Sequence, residues 1–325
     1  SKVANNKPLA ITIDIIAIIT TVFGVTTSLG LGTEQISAGI SHIFSIEESF
    51  FNKIIIITII TLIGLISVSL GLDSGIKKLS QINMILAISL LSFVFFFGPT
   101  VFILNALIQN FGAYINTLIE SATWTEVYDD SSWQNGWTLF YYSWWFAWAP
   151  FVSLFIARIS YGRSIKEFIT GVLFVPSIIV FLWMGIFGNA AIYQVINETS
   201  QIAQVVNNNF DVALFSLFEV YPVTKLISIV SLILIVTFFV TSSDSGALVA
   251  SMLSSKNQSN INDDSPILSR ATWAILLGIL AGVLLYAGGL QALQTSVVIT
   301  GVPFAIIVVF ACRKFYKSLE KELYK

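Results

Sequence analysis

The stretch Gly136-Trp137-Thr138-Leu139-Phe140-Tyr141-Tyr142-Ser143-Trp144-Trp145-Phe146-Ala147-Trp148-Ala149-Pro150-Phe151 carries no charge and is dominated by aromatic rings. Trp137 suits a membrane interface, where amphipathic rings sit at headgroup level. On a helix rising 1.5 Å per residue, Trp148 lies about 16 Å deeper, near the middle of a ~30 Å hydrocarbon core. An interfacial anchor has no role at that depth. Trp144 and Trp148 are spaced i,i+4 and Trp145 and Trp148 i,i+3, and Tyr141 precedes Trp144 and Trp145 by one turn, so the rings share one helical face. A row of indoles facing a desolvated cavity suits a quaternary ammonium, which has no hydrogen to donate and is attracted to aromatic faces by about 0.5–2 kcal/mol per ring. The same spacing also fits plain helix packing by bulky rings. Pro150 removes a helical hydrogen bond beside the rings, and broken backbone at mid-membrane is a frequent mark of a transport site.

Outward from this segment the whole chain has membrane composition. Of 325 residues 56% are hydrophobic and 10% charged, and the mean hydropathy is +0.86, far outside the range of soluble domains. Eight spans of sufficient length are read at approximately 10–33, 54–72, 81–108, 137–159, 167–188, 222–243, 267–289 and 291–312. Polar stretches over 110–136 and 189–221 and an Asn/Ser/Asp-rich connector over 255–266 separate them. The polar lead Ser1 to Lys7 lacks the pattern of a signal peptide, which fits either a complete eight-span protein or the later part of a longer one.

Basic residues fall on alternate connections. Lys2 and Lys7, Lys77 and Lys78, Arg158, Arg163 and Lys166, Lys256 and Arg270, and the tail residues Arg313, Lys314, Lys317, Lys321 and Lys325 lie on one side, leaving Lys53 and Lys225 on the other. The outer set instead holds Glu47, Glu48, Glu120, Glu126, Asp129, Asp130, Glu198, Asp211 and Glu219. Short loops rich in Lys and Arg stay in the cytoplasm, so both termini are expected there. A net charge of −2 gives no basic excess for nucleic acid. The single Cys312 excludes an internal disulfide framework, and the single His42 makes a zinc-histidine enzyme implausible. No paired carboxylates on one span face suggest an integral membrane enzyme, and no ring of like residues suggests a channel.

The aromatic segment, followed by Ile156-Ala157-Arg158-Ile159-Ser160-Tyr161-Gly162-Arg163-Ser164-Ile165-Lys166-Glu167-Phe168, closely resembles the betaine/carnitine/choline transporter family. Ser28-Leu29-Gly30-Leu31-Gly32, Thr241-Ser242-Ser243-Asp244-Ser245-Gly246 and Gly288-Gly289-Leu290-Gln291-Ala292-Leu293-Gln294-Thr295 look like further signatures of it. The resemblance covers essentially the whole chain. It implies an all-α integral membrane protein with a leucine-transporter-like inverted-repeat fold, the eight spans standing for family helices 5 to 12. The chain is then a single transmembrane domain, 1–136 holding the last three helices of the first repeat and 137–325 the second five-helix repeat with a short cytoplasmic tail. Family helices 3 and 4, which complete the substrate pocket, would precede it. The family's box tryptophans fall on Trp144, Trp145 and Trp148, with Tyr141 on the same face; Tyr142 stands where the family usually has Trp, a change bearing on specificity.

Sodium takes oxygen ligands, and Phe238-Phe239-Val240-Thr241-Ser242-Ser243 ends an apolar run with hydroxyls. Hydroxyls of this kind more often bond back to their own helix. The resemblance implies that Phe238, Thr241 and Ser242 hold one sodium ion, and that Thr21 and Phe151 belong to a second site, where Val25 replaces an expected threonine and Thr26 is a substitute. Phe23-Gly24-Val25-Thr26-Thr27-Ser28 echoes the later motif in a span running the opposite way, as an inverted repeat requires. Asp14 is read as hydrated near the cytoplasmic end of its span, and Asp244 as a gating or capping residue at the cytoplasmic mouth. The function implied is sodium-coupled import of a betaine-type osmolyte (glycine betaine, choline or carnitine) through the cell membrane, with no organic cofactor. The alternatives are sodium-independent exchange or a folded but inactive fragment. The family resemblance also implies a homotrimer, and the mixed-charge tail from Arg313 to Lys325 is a candidate for contact with anionic membrane lipid.

Overall fold

The computed structural model describes residues 7–70, 75–129, 131–255 and 265–323. Lys2, Asp130, Lys256, Lys325 and most of the 255–266 connector lie outside the described residues. In chain order the helices are α1 (Lys7–Phe44), α2 (Phe50–Leu70), α3 (Lys77–Phe97), α4 (Thr100–Thr123), α5 (Phe140–Ile159), α6 (Ile165–Ile196), α7 (Ile202–Asn208), α8 (Ala213–Leu217), α9 (Thr224–Ser254) and α10 (Ile267–Leu323). Among the described residues, and with α10 taken as one, eight helical segments are long and apolar enough to cross a membrane, as expected for an all-α, multi-pass membrane protein.

Their membership differs from the sequence expectation at one place. The single span expected over 81–108 is two helices, because Gly98 turns to extended backbone and Pro99 has no N–H to carry the helix on. The polar stretch expected over 110–136 is therefore helical as far as Thr123. The last two expected spans, 267–289 and 291–312, meet within α10 at a kink where expected: Gly288 and Gly289 have non-helical backbone, and Gly289, at φ +56°, sits in the left-handed region that glycine enters without steric cost.

α1 is the hub. It packs against α9, α10, α5 and α2, and its buried face from Thr20 to Thr33 is mostly glycine, threonine and serine, the small residues that let membrane helices approach closely. Its hydroxyls tie it to the second half of α10, Thr27 donating to the Leu293 carbonyl and Thr20 to that of Thr300, both at 3.1 Å. A second cluster, built on Leu90, Val94, Ile103, Phe187 and Phe218, joins α3, α4 and α6 to the short helices between α6 and α9. α6 opens on a capping box, Ser164 and Glu167 satisfying each other's backbone amides. Ile85, Leu173, Phe174 and Ile179 are exposed, as residues facing lipid are.

Candidate functional site: an aromatic box against a glycine carbonyl

The entry to α5 is set by Glu126. Its carboxylate accepts the Ser131 hydroxyl and the backbone N–H groups of Trp133 (2.8 Å) and Gln134 (3.0 Å), capping a π-helical turn, Gln134–Leu139, that runs into α5. The Ser131 hydroxyl first, then the Gln134 and Trp133 amides, hold this carboxyl below the usual carboxylate range. α5 then continues unbroken through Pro150, so the expected backbone break at that proline is absent. Proline costs one donor, the N–H that the Phe146 carbonyl would have accepted, while neighbouring helices hold the rest in place.

Two close approaches fix α5. A Cβ on Gly24 of α1 would lie 3.1 Å from Ala147, and one on Gly301 of α10 would lie 2.3 Å from the Ser143 carbonyl. With α1 so near, the indole N–H groups of Trp144 and Trp148, three residues before and one after Ala147, both donate to the Gly24 carbonyl at 3.3 and 3.2 Å. Trp144 stacks on Phe140 with centroids 5.4 Å apart, Trp148 meets Phe151 edge-on at 5.3 Å, and Tyr141 stacks on Trp137 at 5.9 Å. Tyr141, Trp144, Trp145 and Trp148 together line one cavity of about 200 Å³. Trp145, 72% exposed, is the ring least engaged by the protein.

The residues expected to hold sodium sit on α9 around one carbonyl. Thr241 Oγ1 donates to the Phe238 carbonyl at 2.9 Å and Ser242 Oγ donates to it at 3.0 Å. Both hydroxyls thus bond back to their own helix, yet three oxygens are gathered at one point. Asn83 of α3, which sequence reading did not single out, joins them: its Nδ2 donates to Thr241 Oγ1 at 3.2 Å, and its buried Oδ1 has no partner among the described residues. Thr21 and Phe151 are both buried, each about one turn from the Gly24–Ala147 contact. The hydroxyls of Thr21 and Thr26 are buried without a partner among the described residues, whereas Val25 fills the space that a side chain at Gly246 would need.

Asp14 is exposed, as expected. Asp244 departs from expectation: it neither caps α9 nor opens to a cytoplasmic mouth, being fully buried. Its carboxylate accepts the Ser67 hydroxyl of α2 at 2.5 Å and that of Ser245 at 3.1 Å. Nearby, Arg270 of α10 donates to the Val68 carbonyl at 2.9 Å. Asp244 thus joins α2 to α9 as a structural fastener. The signal for this was weak, because a serine on an apolar span is ordinarily satisfied by its own helix.

Known proteins bear on this arrangement. Residues 2–324 match the family described as BCCT, betaine/carnitine/choline family transporter. The glycine betaine transporter of Acinetobacter baylyi is 41% identical over 313 residues, 96% of this chain and 47% of its own length. The high-affinity choline transport protein of Escherichia coli is 40% identical over 321 residues, 98% of this chain and 47% of its own. The ectoine/hydroxyectoine transporter of Virgibacillus pantothenticus is 40% identical over 319 residues, 98% of this chain and 63% of its own. The chain spans about half the length of the curated relatives it matches. With the family's match running along nearly the whole chain, this protein belongs to the betaine/carnitine/choline transporter family.

Proposed function

We propose that this chain forms part of a secondary active transporter that carries a betaine-type quaternary ammonium osmolyte into the cell. The observation that carries this reading is the cavity of about 200 Å³ walled by Tyr141, Trp144, Trp145 and Trp148. Trp144 and Trp148 direct their N–H groups to the Gly24 carbonyl, which leaves the faces of these two rings, rather than their donors, for a ligand. A trimethylammonium head loses no hydrogen bond there and is attracted by each face, by about 0.5–2 kcal/mol. A primary ammonium would forfeit its hydrogen bonds to water. The relatives named for glycine betaine, choline and ectoine support the same class of solute.

Sodium is the proposed coupling ion, held by the Phe238 carbonyl with Thr241 and Ser242, and with the free Oδ1 of Asn83 within the same hydrogen-bonded cluster. The two hydroxyls use their hydrogens on the Phe238 carbonyl and keep lone pairs for a hard cation, so the competition between ion and helix falls on that carbonyl. Thr21 and Phe151 form the proposed second site. The presence of Val25 there, without an oxygen, favours a single-ion or sodium-independent exchange cycle as the second reading. The working cycle is alternating access, with 1–136 as the end of one inverted repeat and 137–325 as the other. Both termini face the cytoplasm of a cell membrane in this reading, and the assembly is a homotrimer bathed by membrane lipid.

The test is radiolabelled glycine betaine uptake by the full-length protein in proteoliposomes, with and without a sodium gradient, beside Trp148→Leu. Sodium-driven uptake that the variant loses is the expected result. Uptake indifferent to sodium removes the coupling ion and keeps the solute class, whereas no uptake of glycine betaine, choline or carnitine overturns the functional reading.

A further inference from the structure

We infer that Gly24 of α1 is the positioning residue of the aromatic box: its carbonyl orients the Trp144 and Trp148 rings, and its missing Cβ permits the approach that this requires. The inference rests on the proposed binding of a quaternary ammonium for its consequence in affinity, but not for its geometry.

An indole has a single polar hydrogen, and in a membrane that hydrogen needs an acceptor. Backbone carbonyls inside a helix already accept the bond of the residue four further on, so a side chain rarely finds one open. At Gly24 three side-chain donors nevertheless converge on one oxygen: the Trp144 and Trp148 indoles at 3.3 and 3.2 Å and the Ser28 hydroxyl at 3.1 Å. The oxygen is reachable because nothing projects from residue 24, and a Cβ there would stand 3.1 Å from the carbonyl carbon, oxygen and Cβ of Ala147. Ala147 itself is fully buried, so it has no free space into which to retreat.

The two indole bonds are already near the long end of the range. A separation of a few tenths of an ångström between α1 and α5, which a methyl at residue 24 forces, takes them to about 3.6 Å, where they cease to be hydrogen bonds. Released N–H groups then turn toward the cavity in search of water or a ligand oxygen. Trp144 and Trp148, which offered only π faces, then offer donors as well, and the preference of the box for a fully methylated cation declines. Because the acceptor lies on α1 and the rings on α5, any movement between these helices also changes the shape of the box.

The experiment uses the full-length protein in lipid nanodiscs. Ultraviolet resonance Raman spectra of wild type, Trp144→Phe, Trp148→Phe and Gly24→Ala report hydrogen bonding at the indole N–H, and calorimetry with tetramethylammonium reports the box alone, since this probe has no carboxylate. Each Trp→Phe difference spectrum is expected to remove one hydrogen-bonded indole. Gly24→Ala is expected to shift both to the weakly bonded position and to weaken tetramethylammonium about tenfold, the scale of one displaced ring contact. The double variant Gly24→Ala/Ala147→Gly, which removes the methyl that the new one meets, is expected to recover part of each. Indole bands unchanged in Gly24→Ala overturn the inference. So do Trp→Phe difference spectra showing no hydrogen-bonded indole, a result available even if Gly24→Ala does not fold. Shifted bands in a protein that never binds tetramethylammonium uphold the role of Gly24 and overturn the quaternary ammonium reading instead.

Discussion

Replacing Trp145 separates ligand binding from stability more cleanly than any other change in the box. Its ring is 72% exposed, and among the described residues it has no indole hydrogen bond of the kind that ties Trp144 and Trp148. Trp145→Leu therefore costs the fold little, within about 0.5 kcal/mol as for other exposed positions. Loss of one ring face from a desolvated ammonium site costs about 1–2 kcal/mol, which is roughly a 5- to 30-fold rise in the Kd. Trp145→Phe keeps a smaller π face and falls between. The assay is titration calorimetry of the full-length protein with glycine betaine, alongside the thermal unfolding midpoint of each variant in the same detergent. Trp148→Leu serves as contrast, because it loses an indole bond and the Phe151 contact and so lowers both affinity and midpoint. An unchanged Kd in Trp145→Leu, or equal losses for Phe and Leu, would refute the claim that this ring faces the cation.

Three further outcomes follow from particular contacts. Ser67→Ala strips the Asp244 carboxylate of its 2.5 Å partner inside the bundle and is expected to cost about 1–3 kcal/mol, seen as a lower unfolding midpoint that Ser67→Thr largely restores; equal midpoints for all three proteins would sink the fastener role. Thr241→Val removes one oxygen beside the Phe238 carbonyl, and on the sodium reading it raises the sodium concentration for half-maximal uptake on the order of tenfold or more while leaving sodium-free uptake unchanged; an unaltered sodium titration removes Thr241 from the ion site. Burial first, then the nearby Glu34 and Glu48 carboxylates, push Asp211, in the connection between α6 and α9, up to about 6. The folded protein then holds a proton that the unfolded chain releases, so this contribution is complete below about pH 4 and is lost as the pH rises through about 6, amounting to about 1–2 kcal/mol after solvent screening. Unfolding midpoints measured across that window should fall with rising pH, and Asp211→Asn should flatten the slope; parallel curves for the two proteins would show that another group is responsible.

The contrast between Pro150 and Pro99 shows how far local sequence carries. Both prolines remove a helical donor, yet α5 runs through Pro150 while the chain breaks before Pro99. Pro150 lies in a segment gripped on two sides, by Gly24 at Ala147 and by Gly301 at Ser143, so packing holds its helix together. Pro99 follows a glycine that costs little to leave the helix, and hydropathy continuing from 81 to 108 concealed the break. The same limit applies to Asp244. Its place near the end of an apolar run suggested a gating or capping residue at the cytoplasmic mouth, but the Ser67 hydroxyl that makes its burial tolerable comes from a helix 177 residues away in sequence.

Composition, span length and the i,i+4 spacing of Trp144 and Trp148 determined by themselves that this is an all-helical membrane protein with several aromatic rings on one face at mid-membrane depth, because hydropathy and helical periodicity are properties of neighbouring residues. Only the tertiary structure decided where those rings point and what fixes them. The Gly24 carbonyl that receives two indoles lies more than a hundred residues away, and Asn83 meets Thr241 across a separation of 158. Such contacts depend on how closely two helices approach, a distance set by missing side chains at Gly24 and Gly301 and by the partners they meet, which no local pattern encodes.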